Sequence, residues 1–396
     1  MSRIAIAGAG IAGLAAAAGL ARDGHAVTVH DRWPEPLPVG SGLVVQPVGL
    51  AALDAVGAGD AARALGARLR TMHGREAESG RVVLDVTYDP AGGGREGLAM
   101  HRAALHGVLL DAARAAGARF ELGAAVTGRD GMRLRLGDRR TGPFDLLVDA
   151  AGAGSPLSPL RARPLPYGAI WGVVDWPEGT DLPPDGLSQR YRRADRMLGV
   201  LPIGRARPGG PRQAAVFWSL PRGGHAAWRA APLSDWRAEA GRLWPAMAPF
   251  LAQVGAHDAM TMARYGHGTL RRPWGEGIAH LGDAAHRASP QLGQGANMAL
   301  LDALALVRAL RAGPVAEAPR HAANARWMHV AAYQALSAAF TPQYQSDGRV
   351  LPWLRDRVLA PLSLARPARD VLPALVRGTL VPPLAAGLGP LRPATP

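Results

Sequence analysis

Apolar residues in two distant parts of the chain form short runs that stop at a glycine-rich turn and resume with helical spacing. Near the start, Arg3 to Ala7 is typical of a buried strand, and an alanine-rich segment follows the turn as far as about Asp23. Much later, Ile278 to Leu281 form a second short run, and from Ala296 apolar residues recur at helical spacing through Leu306. Both places therefore predict a strand, a turn and a helix, which is typical of an α/β fold.

The middle of the chain follows a different pattern, because apolar and polar residues alternate as they do in half-buried strands. The predicted strands are Tyr167 to Val174, Leu187 to Tyr191, Met197 to Pro202 and Ala214 to Leu220. Arg205 to Arg212 between two of them is rich in glycine, proline and arginine and predicts a solvated hairpin loop. We therefore expect a second sheet, whose aromatic residues either cover a ligand or form the core of the sheet.

The glycine-rich turns have the composition of nucleotide-binding loops. Gly8, Gly10 and Gly13 form Gly-x-Gly-x-x-Gly around Ile11 and Ala12, between the first predicted strand and helix. Asp31 ends the next predicted strand, Ala26 to His30, and lies 18 residues after Gly13, close to the spacing of a ribose-binding carboxylate. In the later turn Gly282 and Asp283 are followed by His286, and the helix predicted to start near Gly295 aims free N–H groups at the glycine loop.

Together these motifs resemble the FAD-dependent aromatic hydroxylase family, the para-hydroxybenzoate hydroxylase-like group A flavoprotein monooxygenases, over most of the chain. The resemblance implies a Rossmann-type FAD-binding domain interleaved with a mixed β-sheet substrate domain. In such a fold Arg102 contacts the phosphate and ribityl region, Asp283 binds ribityl hydroxyls, and the segment at 36–42 is a mobile loop beside the flavin. The residues expected to bind the cofactor are Gly8, Gly10, Ile11, Ala12, Gly13, Asp31, Arg32, Arg102, Asp283, Pro290, Gly293, Gly295, Ala296 and Asn297.

The same resemblance predicts a domain organisation. The FAD-binding domain comprises residues 1–70, 96–160 and 268–320, and the substrate-binding sheet comprises 71–95 and 161–267. Residues 321–396 form a C-terminal helical segment. Its residues Leu351, Trp353 and Leu359 lie at helical spacing among arginines, which favours packing on the flavin domain over peripheral membrane contact.

The resemblance implies an FAD-dependent monooxygenase driven by NAD(P)H. Reduced flavin and molecular oxygen would form a C4a-hydroperoxide, which transfers one oxygen atom to an aromatic or polyketide- or alkaloid-like small molecule. One motif departs from the family, because Ala151 stands where an aspartate contributes to FAD and nicotinamide binding. Asp149, two residues earlier, would project to the same side of an extended strand and compensate in part. Otherwise the enzyme takes electrons from another reductant, or the chain is a flavin oxidase or reductase, or a non-redox FAD-binding protein.

The sequence identifies no catalytic residue with certainty. His225, Tyr191 and Arg190 in the predicted sheet are candidates for deprotonating or polarising a substrate hydroxyl, and each also fits a packing or surface role. For His286 a structural hydrogen bond is favoured over catalysis. A flavin-dependent halogenase is nearly excluded, because its chemistry requires a lysine and this chain has none.

Composition indicates which partners, sites and compartment to expect, but it does not identify the reaction. The formal net charge of +14 comes from arginine, and the arginines are dispersed without a nucleic-acid motif, so no nucleic-acid partner is expected. The absence of cysteine excludes thiolate metal sites and disulfides and fits a reducing cytoplasm. No metal site is expected, and the oligomeric state is not readable from the sequence.

Overall fold

The computed structural model describes residues 1–35, 42–385 and 388, so the predicted loop at 36–42 lies, apart from Gly42, outside the described residues. The strands are β1 Arg3–Ala7, β2 Ala26–Asp31, β3 Gly42–Val45, β4 Ala67–Leu69, β5 Thr71–Glu76, β6 Val82–Thr87, β7 Gly97–His101, β8 Arg119–Leu122, β9 Gly128–Asp130, β10 Arg133–Leu136, β11 Arg139–Arg140, β12 Leu146–Asp149, β13 Arg163–Asp175, β14 Gly186–Arg192, β15 Arg196–Gly204, β16 Gln213–Pro221, β17 Met260–Thr269, β18 Trp274–Gly275, β19 Ile278–His280 and β20 His286–Arg287. The helices are α1 Ile11–Arg22, α2 Pro47–Ala55, α3 Gly59–Leu65, α4 Arg102–Ala115, α5 His225–Ala230, α6 Leu233–Leu243, α7 Ala248–Leu251, α8 Gly295–Ala312, α9 Ala318–Tyr344, α10 Val350–Leu354, α11 Ala360–Leu364 and α12 Ala368–Arg377.

A six-stranded sheet with the order β18-β19-β12-β1-β2-β8 forms the first half of the fold. All its strands are parallel except β18, which forms an antiparallel hairpin with β19. Ile4 and Ile6 of β1 pack into a large core with helices α1, α4 and α8, whereas Ala5 packs on the opposite face with Leu134 of β10. Burial on both faces explains the uninterrupted apolar run that identifies this strand in the sequence.

An eight-stranded sheet with the order β20-β17-β13-β16-β15-β14-β5-β6 forms the second half. Its pairings are antiparallel except that between β14 and β5. All four strands predicted in the middle of the chain are confirmed within β13 to β16, and the predicted loop from Arg205 to Arg212 connects β15 and β16.

The two faces of this sheet bury different side chains because successive residues of a strand point in opposite directions. One face, with Leu198, Val200 and Trp218, is covered by α5, α6 and α7. The other, with Leu201, Ile203 and Phe217, packs with Val44 of β3. Strand β3 belongs to a small sheet with the order β3-β7-β4, which therefore lies between the two large sheets.

The C-terminal helices pack on both halves of the fold. Helix α9 lies against α8, and residues of α12 contribute to the cores around Met298 and around the eight-stranded sheet. In the part of the chain that the structure describes, no helix combines the length and the apolarity needed to cross a bilayer.

Candidate cofactor and substrate site

The N-terminal glycine turn forms a cradle at the carboxyl end of β1. Gly8 has a φ of +105°, and an added Cβ there or at Gly13 would collide with backbone atoms. An added Cβ at Gly10 meets no atom within 4 Å, so that side of the turn is open. Helix α1 begins at Ile11 without a side-chain cap, and its first N–H groups therefore remain available to a pyrophosphate.

The carboxylate of Asp31 is held beside this cradle. Its Oδ2 accepts the Ala9 N–H at 2.7 Å and its Oδ1 accepts the Trp33 N–H at 3.0 Å. A carboxylate fixed in this way retains lone pairs for the hydroxyls of a ribose. The neighbouring Arg32 is exposed and lies over the Trp33 ring, 5.0 Å from its centroid.

The start of helix α4 brings Arg102 to the same region. His101 caps the helix, since its Nδ1 accepts the Ala103 N–H at 3.0 Å. One turn later His106 Nε2 lies 3.0 Å from the carbonyl oxygen of Ala9 in the glycine turn, and burial lowers the pKa of His106, which favours the neutral ring donating this bond. The Arg102 guanidinium is exposed and makes no hydrogen bond or ion pair with the described residues, so it is free to contact a phosphate.

Two aspartates lie at the Gly-Asp turn, one exposed to solvent and one buried. Asp283 is exposed, as a group that binds ribityl hydroxyls requires. Asp302 of α8 is buried and accepts the Gly282 N–H at 3.0 Å, His286 Nε2 at 2.6 Å and Arg326 Nε at 2.9 Å. Burial alone would raise the pKa of Asp302, but the charges and hydrogen bonds of His286 and Arg326 outweigh it and lower that pKa. His286 thus has the structural role expected from the sequence.

The loop before helix α8 is fixed by Asn297. Pro290–Leu292 form a short 3₁₀ turn, Gly293 has a φ of +61°, and α8 starts at Gly295 without a side-chain cap, which leaves N–H groups free in its first turn. The buried Asn297 accepts the Gln46 N–H at 2.7 Å with Oδ1 and donates to the carbonyl oxygens of Val44 at 3.1 Å and Gly293 at 2.9 Å with Nδ2. Its side chain therefore ties the loop to β3, and only its backbone remains for a cofactor.

Gln46 is a feature of this site that the sequence analysis missed. It is fully buried, and its side-chain amide makes no hydrogen bond of good geometry with the described residues, although it interacts loosely with the equally buried Tyr88 hydroxyl. A Cβ placed on Gly293 would lie 3.5 Å from Gln46 Nε2, so the amide borders the glycine loop. An unpaired buried amide is costly unless a ligand satisfies it, and the amide edge of an isoalloxazine is a ligand of that kind. The signal available was the Gln-Pro pair between a strand and a helix.

The sheet face that packs against β3 is apolar and aromatic. An added Cβ at Gly42 would meet Ile203 and Ala215, which shows how closely β3 approaches this face. Next to them the rings of Trp171 and Phe217 stack at 4.5 Å, and Trp171 Nε1 donates to the hydroxyl of Tyr265 at 3.1 Å. Burial raises the pKa of Tyr265 to about 12, so its hydroxyl stays protonated at neutral pH.

For the aromatic residues of this sheet the sequence left two roles open, and Trp176 and Trp218 have the second, since they lie in the core on the opposite face. Trp176 packs edge-on against Phe250 of α7, with ring centroids 5.4 Å apart. Trp171, Tyr191 and Met197 do face the side that carries β3.

None of the three catalytic candidates lies at an accessible position on that face. His225 stacks on Trp228 and Arg190 lies 4.6 Å from the Trp244 ring centroid, so both half-buried side chains lie beside the core on the far side of the sheet. Tyr191 faces the correct side but is 1% exposed, donates to Gln189 Oε1 at 2.6 Å, and lies under the Arg355 guanidinium. Burial raises the pKa of Tyr191, which makes it a packed structural group.

The carboxylate of Asp149, one of the alternatives offered for the missing aspartate at position 151, is engaged by protein groups. It is fully buried, lies 2.7 Å from His280 Nδ1, and accepts the Ser155 hydroxyl at 2.6 Å and the Ala151 N–H at 3.2 Å. Strand β12 ends at Asp149 and lies between β19 and β1, so this carboxylate is buried at the carboxyl end of an interior strand of the sheet. The described residues also hold no group of three or more side chains that could bind a metal ion.

A family model described as an FAD binding domain matches residues 1–160 and 234–322. Aurachin C monooxygenase/isomerase of Stigmatella aurantiaca is 31% identical to this chain over 83% of it and 84% of the relative. The chain belongs to the FAD-dependent aromatic hydroxylase family.

Further comparisons agree with this family assignment. The 3-amino-4-hydroxybenzoate 2-monooxygenase of Streptomyces cremeus is 30% identical over 79% of each chain. The crystal structure of an HpxO variant of Klebsiella pneumoniae in complex with FAD superposes with a TM-score of 0.79, at 23% identity, over 96% of this chain and 100% of that one. The protein is an FAD-dependent monooxygenase, and the cradle, the exposed Asp283 and the unpaired Gln46 fit that cofactor.

Proposed function

We propose that the protein uses electrons from NAD(P)H to insert one oxygen atom from O₂ into a small planar aromatic molecule. One observation supports the substrate class above all: the stacked Trp171 and Phe217 lie on the sheet face that packs against β3. Strand β3 is bonded through Val44 to Asn297 in the cofactor loop, so a ring held on this face would lie beside the bound cofactor. The names of the two curated relatives are consistent with such a substrate.

We assign the cofactor-binding residues as the sequence predicts. The turn from Gly8 to Gly13 would hold the pyrophosphate, Asp31 the ribose, Arg102 a phosphate, Asp283 the ribityl chain, and the loop from Pro290 to Asn297 the isoalloxazine. Bound FAD supplies the redox chemistry and the activation of oxygen. The apolar sheet face would orient the substrate and exclude water, and the Tyr265 hydroxyl, which stays protonated, would donate a hydrogen bond rather than act as a base.

Direct reduction of the flavin by NAD(P)H is the part of this proposal for which the chain departs from its family. Ala151 stands in place of the aspartate, and the buried Asp149 carboxylate is engaged by His280 and Ser155, so this region offers no free carboxylate of the kind that the family uses toward the nicotinamide cofactor. This observation favours a second candidate, a monooxygenase that receives its reducing equivalents from a separate reductase.

Anaerobic stopped-flow reduction of the FAD-loaded protein by NADH and by NADPH, with and without aromatic ligands, separates the two candidates. Rapid bleaching that a ligand accelerates supports direct reduction by NAD(P)H. Absence of bleaching by either nucleotide, together with turnover when a flavin reductase is added, supports the second candidate and rejects the first.

The variant Ala151→Asp sharpens this experiment. If the missing carboxylate limits reduction, this variant reduces faster than the parent, whereas Ala153→Asp, at an exposed position two residues later, does not. Equal rates in both variants and the parent would show that the carboxylate at 151 is irrelevant to electron donation.

The cellular setting follows from composition. We propose a cytoplasmic enzyme, because a chain without cysteine needs no oxidising compartment and NAD(P)H is a cytoplasmic reductant. Fractionation of cells producing the native chain tests this, and activity confined to a secreted or membrane fraction would reject it.

A further inference from the structure

A cavity of about 240 Å³ lies between the edge of the six-stranded sheet and helix α9. Its walls come from the segment that joins β17 to β18, from β19, from the turn around His286, and from α8 and α9. None of the residues predicted to bind FAD lines it, and neither does any residue of the Trp171 face. The cavity is therefore separate from the cofactor groove and from the proposed substrate face.

Two imidazoles line this cavity, and each uses only one of its two ring nitrogens in a hydrogen bond with the protein. His280 directs Nδ1 to Asp149 at 2.7 Å, and His286 directs Nε2 to Asp302 at 2.6 Å. Both side chains are only 7% exposed, and neither His280 Nε2 nor His286 Nδ1 has a hydrogen-bond partner among the described residues. Neither nitrogen belongs to the fully buried unpaired atoms of the described residues, so both remain accessible to a polar group of a ligand in the cavity.

The rest of the lining favours a flat aromatic ligand. Trp274 and Trp327 contribute rings, and Leu270, Pro273 and Val330 contribute apolar surface. A cavity of about 150 Å³ holds benzene, so the present one has room for two fused rings. Trp327 is 64% exposed and marks the opening toward solvent.

A cation also borders the cavity. Arg271 is exposed, lines the cavity, and makes no hydrogen bond or ion pair with any residue that the structure describes. Its guanidinium has the geometry to bind a carboxylate through two parallel hydrogen bonds. A hydroxyl suits the interior, because it both donates and accepts and so matches an imidazole nitrogen in either protonation state.

We propose that this cavity is a second binding site, for a bicyclic aromatic acid that places a ring hydroxyl against His280 and His286, its rings between the tryptophans, and its carboxylate on Arg271. The site adjoins the Gly-Asp turn, since Asp302, the partner of His286, also accepts the Gly282 N–H next to Asp283. The site does not depend on the proposed function, because it uses none of the residues assigned to the substrate or the electron donor.

Calorimetric titration of the FAD-loaded protein with 6-hydroxy-2-naphthoate tests this site. The probe has a hydroxyl at one end and a carboxylate at the other, and 2-naphthoate and 2-naphthol each lack one of them. We expect saturable binding of the full probe that is about tenfold tighter than that of either truncated compound. No binding, or equal binding of all three, would overturn the proposal.

Exposed variants locate the bound probe without endangering the fold. Arg271→Glu should weaken binding by about tenfold, and Trp327→Ala should weaken it as well, whereas the matched Arg320→Glu on the same side of α9 should leave it unchanged. Phe217→Ala tests whether the probe binds at the proposed substrate face instead, because Phe217 forms part of that face. If Phe217→Ala weakens binding and Arg271→Glu does not, the probe occupies the substrate face and the second site is refuted.

Discussion

Replacing Asn297 by alanine should weaken both the fold and the binding of FAD. The side chain is fully buried and makes three hydrogen bonds, one to Gln46 N–H and two to the carbonyl oxygens of Val44 and Gly293. A hydrogen bond contributes about 1 kcal/mol net, and each buried group left unpaired costs at least that much. Asn297→Ala should therefore lower the free energy of unfolding by about 3 kcal/mol.

Urea denaturation of the apoprotein and of the FAD-saturated protein measures this effect in two states. A loss of about 3 kcal/mol of unfolding free energy in the apoprotein measures what the Asn297 side chain contributes to the stability of the fold. A further loss in the presence of FAD measures weakened binding, because the ligand stabilises only the state that binds it. The extra loss should be present, since Asn297 fixes the loop from Pro290 to Gly295 on which the flavin is expected to rest.

Asn324→Ala provides the matched control, because the Asn324 side chain is exposed on α9 and makes no hydrogen bond with the described residues. It should change the unfolding free energy by less than about 0.5 kcal/mol. A loss below about 1 kcal/mol for Asn297→Ala would refute the reasoning, since it would mean that the three bonds are replaced by water at no cost.

Three further substitutions test the remaining parts of the site. Gly10→Ala should fold normally but bind FAD at least about tenfold more weakly, since the added methyl group enters the open side of the cradle. Gly13→Ala should instead destabilise the fold, because its Cβ would collide with the Gly8 carbonyl. FAD titration and urea denaturation distinguish the two variants, and the reverse result would contradict the assignment. Trp171→Ala should raise the KM for an aromatic substrate with a modest loss of stability, whereas Trp218→Ala on the opposite face should cost about 3–5 kcal/mol of stability and leave KM unchanged. Burial and the nearby Arg326 lower the pKa of His329 to about 3, so the unfolded chain takes up the proton first and stability should fall as the pH drops from about 6.5 to about 3; His329→Gln should flatten that part of the pH profile, and an unchanged profile would rule out His329 as its origin.

The strands and turns of the cofactor half could be predicted because local sequence determines them. Burial of β1 on both faces produces an uninterrupted apolar run, and the collisions that a side chain would cause at Gly8 and Gly13 explain why glycine stands there. The start of α8 at Gly295 follows likewise from the spacing of the apolar residues after the glycine loop. These features depend on neighbours in sequence, so they are visible without a structure.

The residues that line the substrate face could not be predicted in the same way. Alternation along β13 to β16 shows which residues share a face but not which face meets the cofactor half, since both faces are buried in apolar cores. Only the packing of β3 against Ile203 and Ala215 settles that question, and β3 lies far away in sequence. The sequence therefore did not show that Arg190 and Trp218 belong to the other face.

The case of Asp149 shows how the same limit affects an interpretation of mechanism. Strand geometry correctly implies that residues two apart point the same way, but only while the chain remains extended. Here β12 stops at Asp149 and a 3₁₀ turn begins at Gly152, so the relation does not extend to position 151. His280 then supplies the buried carboxylate with a partner from the adjacent β19, which fixes the Asp149 side chain between the carboxyl ends of two neighbouring strands. A carboxylate that already has three protein partners has little capacity left for a cofactor.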